Sequence, residues 1–210
     1  MNKALTIKRP LVWVKRFRNR CGYGVHSPSA FDFITNVIYE KASYYAYEDI
    51  ENSDICKILR QNIKNKKYQS TKKDRLLFRL VNRLQPQTII EIGEPTASSL
   101  YLQAAKKQAL YAIFPGVAKY LPNKPQQIGL LYIQFPTDVA EVKRIIEEAL
   151  PCLTLQSAIV IEGIHYNTSM CKMWKELEAD ERVITTFDLY DFGFMFFDSR
   201  RIKQKYVVNF

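Results

Sequence analysis

The sequence predicts an α/β protein, a doubly wound and mostly parallel sheet set behind a basic, mainly helical N-terminal extension. Three observations lead there. From residue 87 onward, short apolar runs rich in β-branched residues alternate with segments of helical period, which is the pattern of βαβ units. The runs are apolar at consecutive positions rather than at every second one, as strands covered on both faces are. Three strand-like pieces then follow one another near the C-terminus, which predicts antiparallel strands finishing one edge.

The elements are justified in order. Asp32 to Glu40 (DFITNVIYE) places Phe33, Val37 and Ile38 on one side of a helix. Just before it, CGYGVHSPSAF (21–31) is a turn, because Pro28 biases Ser27 away from the α region. His26 lies in that turn, where a lone histidine more often bonds to backbone than acts in catalysis. Thr71 to Leu84 carries Leu76, Leu77, Leu80, Val81 and Leu84 as a helical apolar stripe. Thr88 to Ile92 is the first strand, closed by Gly93, and Ala97 to Gln108 the helix after it. Ala109 to Phe114 and Ile128 to Phe135 are the next apolar runs. Asp138 to Leu150 is an amphipathic helix with Val139, Val142, Ile145, Ile146 and Ala149 inward. Ala158 to Glu162 is a fourth buried strand, Thr168 to Ala179 a helix, and Val183 to Leu189, Phe192 to Phe197 and Lys205 to Phe210 the closing strands. This divides the chain into a basic extension, 1–70, and an α/β domain, 71–210.

Composition bounds the function. With 210 residues, 47% hydrophobic and 13% aromatic, the chain can bury a core and is neither disordered nor fibrous. No apolar run reaches the length that spans a bilayer and no secretion leader is recognisable, so a cytoplasmic location is expected. Cys21, Cys56, Cys152 and Cys171 lie far apart without a Cys-x-x-Cys pair, which points to reduced thiols rather than a disulfide framework or zinc site. The net charge of +10 is unevenly placed. Residues 1–31 hold seven Lys or Arg and no acid, and residues 57–83 hold ten against Asp74 alone, while the rest of the chain is net acidic. The first stretch also mixes in Leu11, Val12, Trp13, Val14 and Phe17. It suits nucleic acid or an anionic membrane surface as partner, or packing against its own domain.

Ligands of such sheets bind at the carboxyl ends of the strands. The first strand ends in Glu91-Ile92-Gly93-Glu94-Pro95-Thr96, a strand-turn-helix position suited to a nucleotide cofactor. The segments GVHSPSAFDF (24–33), RLLFRLVNRLQPQTIIEIG (75–93), SSLYLQAA (98–105), AIVIEGIHYNTSMCKMWKEL (158–177) and VITTFDLYDFGFMFF (183–197) together resemble a bacterial family of class I S-adenosylmethionine (SAM) dependent methyltransferase-like proteins. The resemblance covers most of the chain in blocks. It implies the SAM-methyltransferase variant of the doubly wound sheet, SAM as cofactor, and methyl transfer to a nucleophile.

The departures from that pattern fall on the cofactor-binding residues. Glu91, Gly93 and Glu94 are the candidates. Glu91 keeps the position that would meet the cofactor's ammonium, and Gly93 alone survives of the small residues in the loop. Glu94 puts a carboxylate near where the cofactor's own would lie, and Pro95 removes an amide donor. The second strand ends in Ala112-Ile113-Phe114-Pro115-Gly116, without the acid that would accept the ribose hydroxyls. Residues 115–127 suffice for one crossover only, so strand three and the adenine wall are expected to be missing. On the catalytic side, Glu162 and His165 could form an acid/base pair, with Glu162 as a helix cap and His165 on backbone as the structural alternative. The neutral Gln134 is a poor ligand for a divalent ion, and no metal site is expected.

Two of three polar anchors are therefore absent, and at roughly 1.5 to 3 kcal/mol each their loss weakens SAM binding by about two to four powers of ten. The favoured expectation is a methyltransferase-like protein with weakened or lost SAM binding, acting by interaction or regulation, with an active relative or a second copy of itself as partner. The alternatives are an active methyltransferase on a small acceptor, and a basic module docking to nucleic acid or membrane.

Overall fold

β-Branched and aromatic runs become strands here, and those at the centre of the sheet are buried by helices on both sides. The computed structural model describes residues 11–62, 71–114, 127–135 and 138–210. Its seven strands form one sheet: β1 Thr88–Ile92, β2 Leu110–Phe114, β3 Ile128–Ile133, β4 Leu153–Glu162, β5 Thr185–Asp188, β6 Phe192–Phe196 and β7 Gln204–Val207, in the order β2-β1-β3-β4-β6-β5-β7. β1 pairs in parallel with β2 and β3, and β3 with β4. β6 runs antiparallel to both β4 and β5, and β7 is parallel to β5. Of the three closing strands only β6 is reversed, so the edge is less antiparallel than its sequence predicts.

The helices are α1 Pro28–Phe33, α2 Tyr45–Asn52, α3 Asp54–Asn62, α4 Thr71–Leu84, α5 Ala97–Ala105, α6 Val139–Ala149 and α7 Thr168–Ala179. α1 starts four residues before Asp32, because the Ser27 hydroxyl accepts from the Ala30 amide and Pro28 is already set for a first turn. It runs into a π turn, Ile34–Ile38. Buried Arg79 of α4 donates to the Val37 and Ile38 carbonyls at 2.6 and 3.1 Å, supplying the partners those carbonyls lack at the helix end. α5 stops at Ala105 rather than Gln108, where Lys106 leaves helical dihedrals. β4 begins at Leu153, five residues earlier than its sequence suggests.

Alternate residues of each strand enter different cores. Ile89, Leu130, Tyr132, Ala158 and Val160 pack beneath α1, the π turn and α4, together with Phe187, Phe192 and Phe194. Ile90, Leu131, Ile133, Ile159, Ile161 and Met195 pack beneath α6 and α7 around Trp174. A smaller cluster of Tyr47, Ile50, Cys56, Phe78, Ala97 and Tyr101 joins α2 and α3 to α4 and α5. Among the described strands β2 is an edge. The expected loss of strand three and the adenine wall falls on residues 115–126, which lie outside the described residues, as do Lys3, Lys8 and Arg9 of the basic stretch.

Candidate functional site

The chain passes from β1 to β2 on one side and returns to β3 on the other, so the sheet order reverses between β1 and β3. A crevice opens outside the carboxyl ends of strands at such a reversal. Ile92 and Ile133 are paired there, and the Gln134 amide donates to the Ile92 carbonyl at 2.9 Å. Gly93 and Gln134 therefore form the two lips of the crevice. Gly93 has φ +145°, and a Cβ built on it would come within 2.8 Å of the Gln134 side chain. The close approach that glycine allows is taken up by Gln134.

Glu91 lies fully buried behind this contact. The Ser99 hydroxyl donates to Glu91 Oε1 at 2.9 Å, the Gln134 side-chain amide donates to the same oxygen, and the Tyr111 hydroxyl donates to Oε2. Burial pushes the Glu91 carboxyl up to about 7, against the three hydrogen bonds that pull it down. A ligand ammonium would share this carboxyl with those three donors. The loop amides are engaged in the same way. The Gly93 N–H donates to the Phe114 carbonyl at 3.0 Å, the Thr96 N–H to Ser99 Oγ at 3.0 Å, and Pro95 has no N–H. Glu94 projects at the surface beyond this shell. Of the three cofactor candidates, Glu91 and Gly93 are thus brought together, but around Gln134, and Glu94 stands apart.

The catalytic candidates have separate partners. Glu162, at the end of β4, is buried and accepts from the Tyr132 hydroxyl at 2.7 Å through Oε1, while its Oε2 has no hydrogen-bond partner among the described residues. Burial raises its carboxyl to about 7, opposed by the positive charge of Lys73 and by the Tyr132 bond. Lys73 Nζ is likewise buried without a hydrogen bond among the described residues, 5.3 Å from the centre of the Phe192 ring and 5.5 Å from that of Phe135. His165 turns to another network. Its Nε2 lies 2.7 Å from Asp188 Oδ2, and Arg16 Nη1 holds Asp188 Oδ1 at 2.8 Å. Arg16 Nη2 lies 3.3 Å from the same Nε2, and His165 Nδ1 lies 3.4 Å from Cys171 Sγ. Burial by itself would raise the Asp188 carboxyl, yet His165 and Arg16 hold it down at about 2. Burial pushes the Cys171 thiol up, so the trio keeps a neutral thiol rather than a nucleophilic thiolate. Neither structural alternative from the sequence holds in detail. Asn167, not Glu162, caps α7 through Met170 at 2.8 Å, and His165 bonds to side chains.

Sequence reasoning missed Gln134, Tyr111 and Ser99 as partners of Glu91, and Arg16 and Asp188 as partners of His165. Thr96 and Ser99 at capping-box spacing were a signal for one of them. The others are joined by chain separations that no local pattern encodes. Among the described residues, no three His, Cys, Asp or Glu side chains gather as metal ligands, and no helix is long and apolar enough to cross a membrane.

No protein-family model matches the chain, and no curated protein does. Solved structures do match. An SAH-bound methyltransferase from Podospora anserina aligns with TM-score 0.56 at 10% identity, over 81% of this chain and 96% of that one. For a putative caffeoyl-CoA O-methyltransferase from Staphylococcus aureus the values are 0.55, 13%, 71% and 94%. For the SAM-complexed O-methyltransferase TomG from Streptomyces achromogenes they are 0.52, 13%, 78% and 95%. Together with the strand order and the reversal between β1 and β3, these alignments show that the chain has the fold of the class I SAM-dependent methyltransferases.

Proposed function

We propose that this protein keeps the methyltransferase fold but binds SAM weakly or not at all, and that it acts through interaction or regulation, with an active methyltransferase or a second copy as partner. One observation carries the reading: the Gln134 side chain lies against Gly93 and donates to Glu91, the carboxylate placed for a cofactor ammonium. The residues present do not fit the methionyl end of SAM, and no methyl-transfer step is derived from them. Isothermal titration with SAM and with its demethylated product tests this. No heat is expected at tens of micromolar ligand, and saturation in that range overturns the reading.

Glu162 favours a second reading, an active methyltransferase on a small acceptor. A buried carboxyl raised to about 7, with one oxygen unpartnered, has the properties of a general base. On that reading the same titration saturates, and Glu91→Ala abolishes the binding.

A further inference from the structure

The first described stretch of the chain is amphipathic in the wrong sense for packing on its own domain. Leu11, Trp13, Val14 and Phe17 are 62%, 49%, 65% and 51% exposed. Of the two cations among them, Lys15 is exposed and Arg16 points inward, 14% exposed, and clamps Asp188. Asn19, although exposed, is also tied to the sheet edge, donating through Nδ2 to the Val207 carbonyl at 3.0 Å and accepting at its own carbonyl from the Asn209 amide at 3.0 Å. The Asn209 side chain in turn donates to the Trp13 carbonyl at 3.3 Å. Polar groups thus tie the segment to the sheet edge at β5 and β7 and hold its apolar side chains away from the domain. Burial is the ordinary fate of such side chains, and a contiguous apolar patch rimmed by charge marks an interaction site.

The surrounding chemistry selects the partner. Residues 1–31 carry seven Lys or Arg and no acid. Arg20 stacks over the Phe17 and Trp13 rings at 4.9 and 5.7 Å, and a cleft of about 650 Å3 opens between Phe17, Arg18, Arg20, Cys21 and Tyr23. We propose that this face docks on an anionic phospholipid surface, with Leu11, Trp13, Val14 and Phe17 entering the headgroup boundary and Lys15, Arg18 and Arg20 meeting lipid phosphates. A second copy is disfavoured because the patch would meet its own positive charge. Nucleic acid is disfavoured because aliphatic Leu11 and Val14 have nothing to contact there, and the aromatic faces that would stack on bases lie under Arg20.

The two tryptophans make the test direct, since Trp174 is 1% exposed in the core and Trp13 is half exposed. The full chain is mixed with vesicles of phosphatidylglycerol and phosphatidylcholine, and with phosphatidylcholine alone. A blue shift of tryptophan emission and co-sedimentation are expected with the anionic vesicles only, falling about tenfold or more on raising salt from 50 to 300 mM. The double variant Leu11→Glu, Val14→Glu, altered only at exposed positions, should melt as the parent does and bind at least about tenfold more weakly. The proposal is overturned by absence of binding to anionic vesicles at low salt, by equal binding of the double variant, or by tighter binding to an RNA oligonucleotide than to the vesicles. Self-association that buries Trp13 without lipid overturns it as well.

Discussion

Gln134 and Asp188 show how single side chains decide what the carboxyl ends of the strands can do. Gln134 is attached through its backbone to β1 and through its side chain to Glu91, so it hydrogen-bonds a buried carboxyl and lies against Gly93 at once. Asp188 plays the corresponding part at the other end of the sheet, gathering Arg16, His165 and the Tyr190 amide, the last at 2.8 Å. Asp188→Asn keeps the shape but leaves the largely buried Arg16 guanidinium without its counter-charge. A loss of about 3 kcal/mol is expected in urea denaturation at pH 7, together with faster proteolysis of the first twenty residues. A loss below about 0.5 kcal/mol, the size of an exposed ion pair, would show that Asp188 does not hold this segment.

At the scale of elements, the decisive contact lies between α7 and β6. Gly193 sits on β6 opposite Ile161 of β4, and a Cβ there would meet the buried Trp174 ring at 2.4 Å. The ring is enclosed by the α6–α7 core and has nowhere to shift. Gly193→Ala is therefore expected to cost about 2 kcal/mol, and the paired change Gly193→Ala, Trp174→Leu to cost less than the sum of the two single changes. Strict additivity in that double-mutant cycle would refute the packing argument. α4 is the busiest helix, because besides its apolar stripe it buries Lys73, Asp74 and Arg79. Asp74 accepts from Arg60 of α3 at 2.8 Å and Ser98 of α5 at 2.7 Å, and so ties α4 to both of these helices.

For the whole molecule, buried carboxyls set the pH dependence of folding. Glu91 and Glu162 titrate near 7 in the folded state against an ordinary value of 4.5. Between those values the unfolded chain ionises while the folded one holds its protons, so stability falls as pH rises, by on the order of 3 kcal/mol for each carboxyl. Asp188 acts at the other limit: its stabilisation is present above the ordinary 3.8 and is lost as pH falls toward about 2. The urea midpoint should therefore be higher at pH 5 than at pH 8, and Glu162→Gln should flatten that slope. A midpoint that rises from pH 5 to 8 would show that these carboxyls are better solvated than their burial implies.

The sequence by itself determined the sheet and its helices, because β-branched apolar runs and helical stripes are local patterns with one burial solution each. It also marked Glu91, Gly93 and Glu162 as the residues at the strand ends, since position in a βαβ unit follows from counting along the chain. It could not determine what those residues touch. Gln134 reaches Glu91 across 43 positions, and Arg16 reaches Asp188 across 172. Only the assembled sheet brings such pairs within hydrogen-bond range, and burial then decides which groups hold their protons. The same holds for the first described segment: its composition is plain in the sequence, but that Arg16 faces in while Leu11, Trp13, Val14 and Phe17 face out follows only from where Asp188 and Val207 lie.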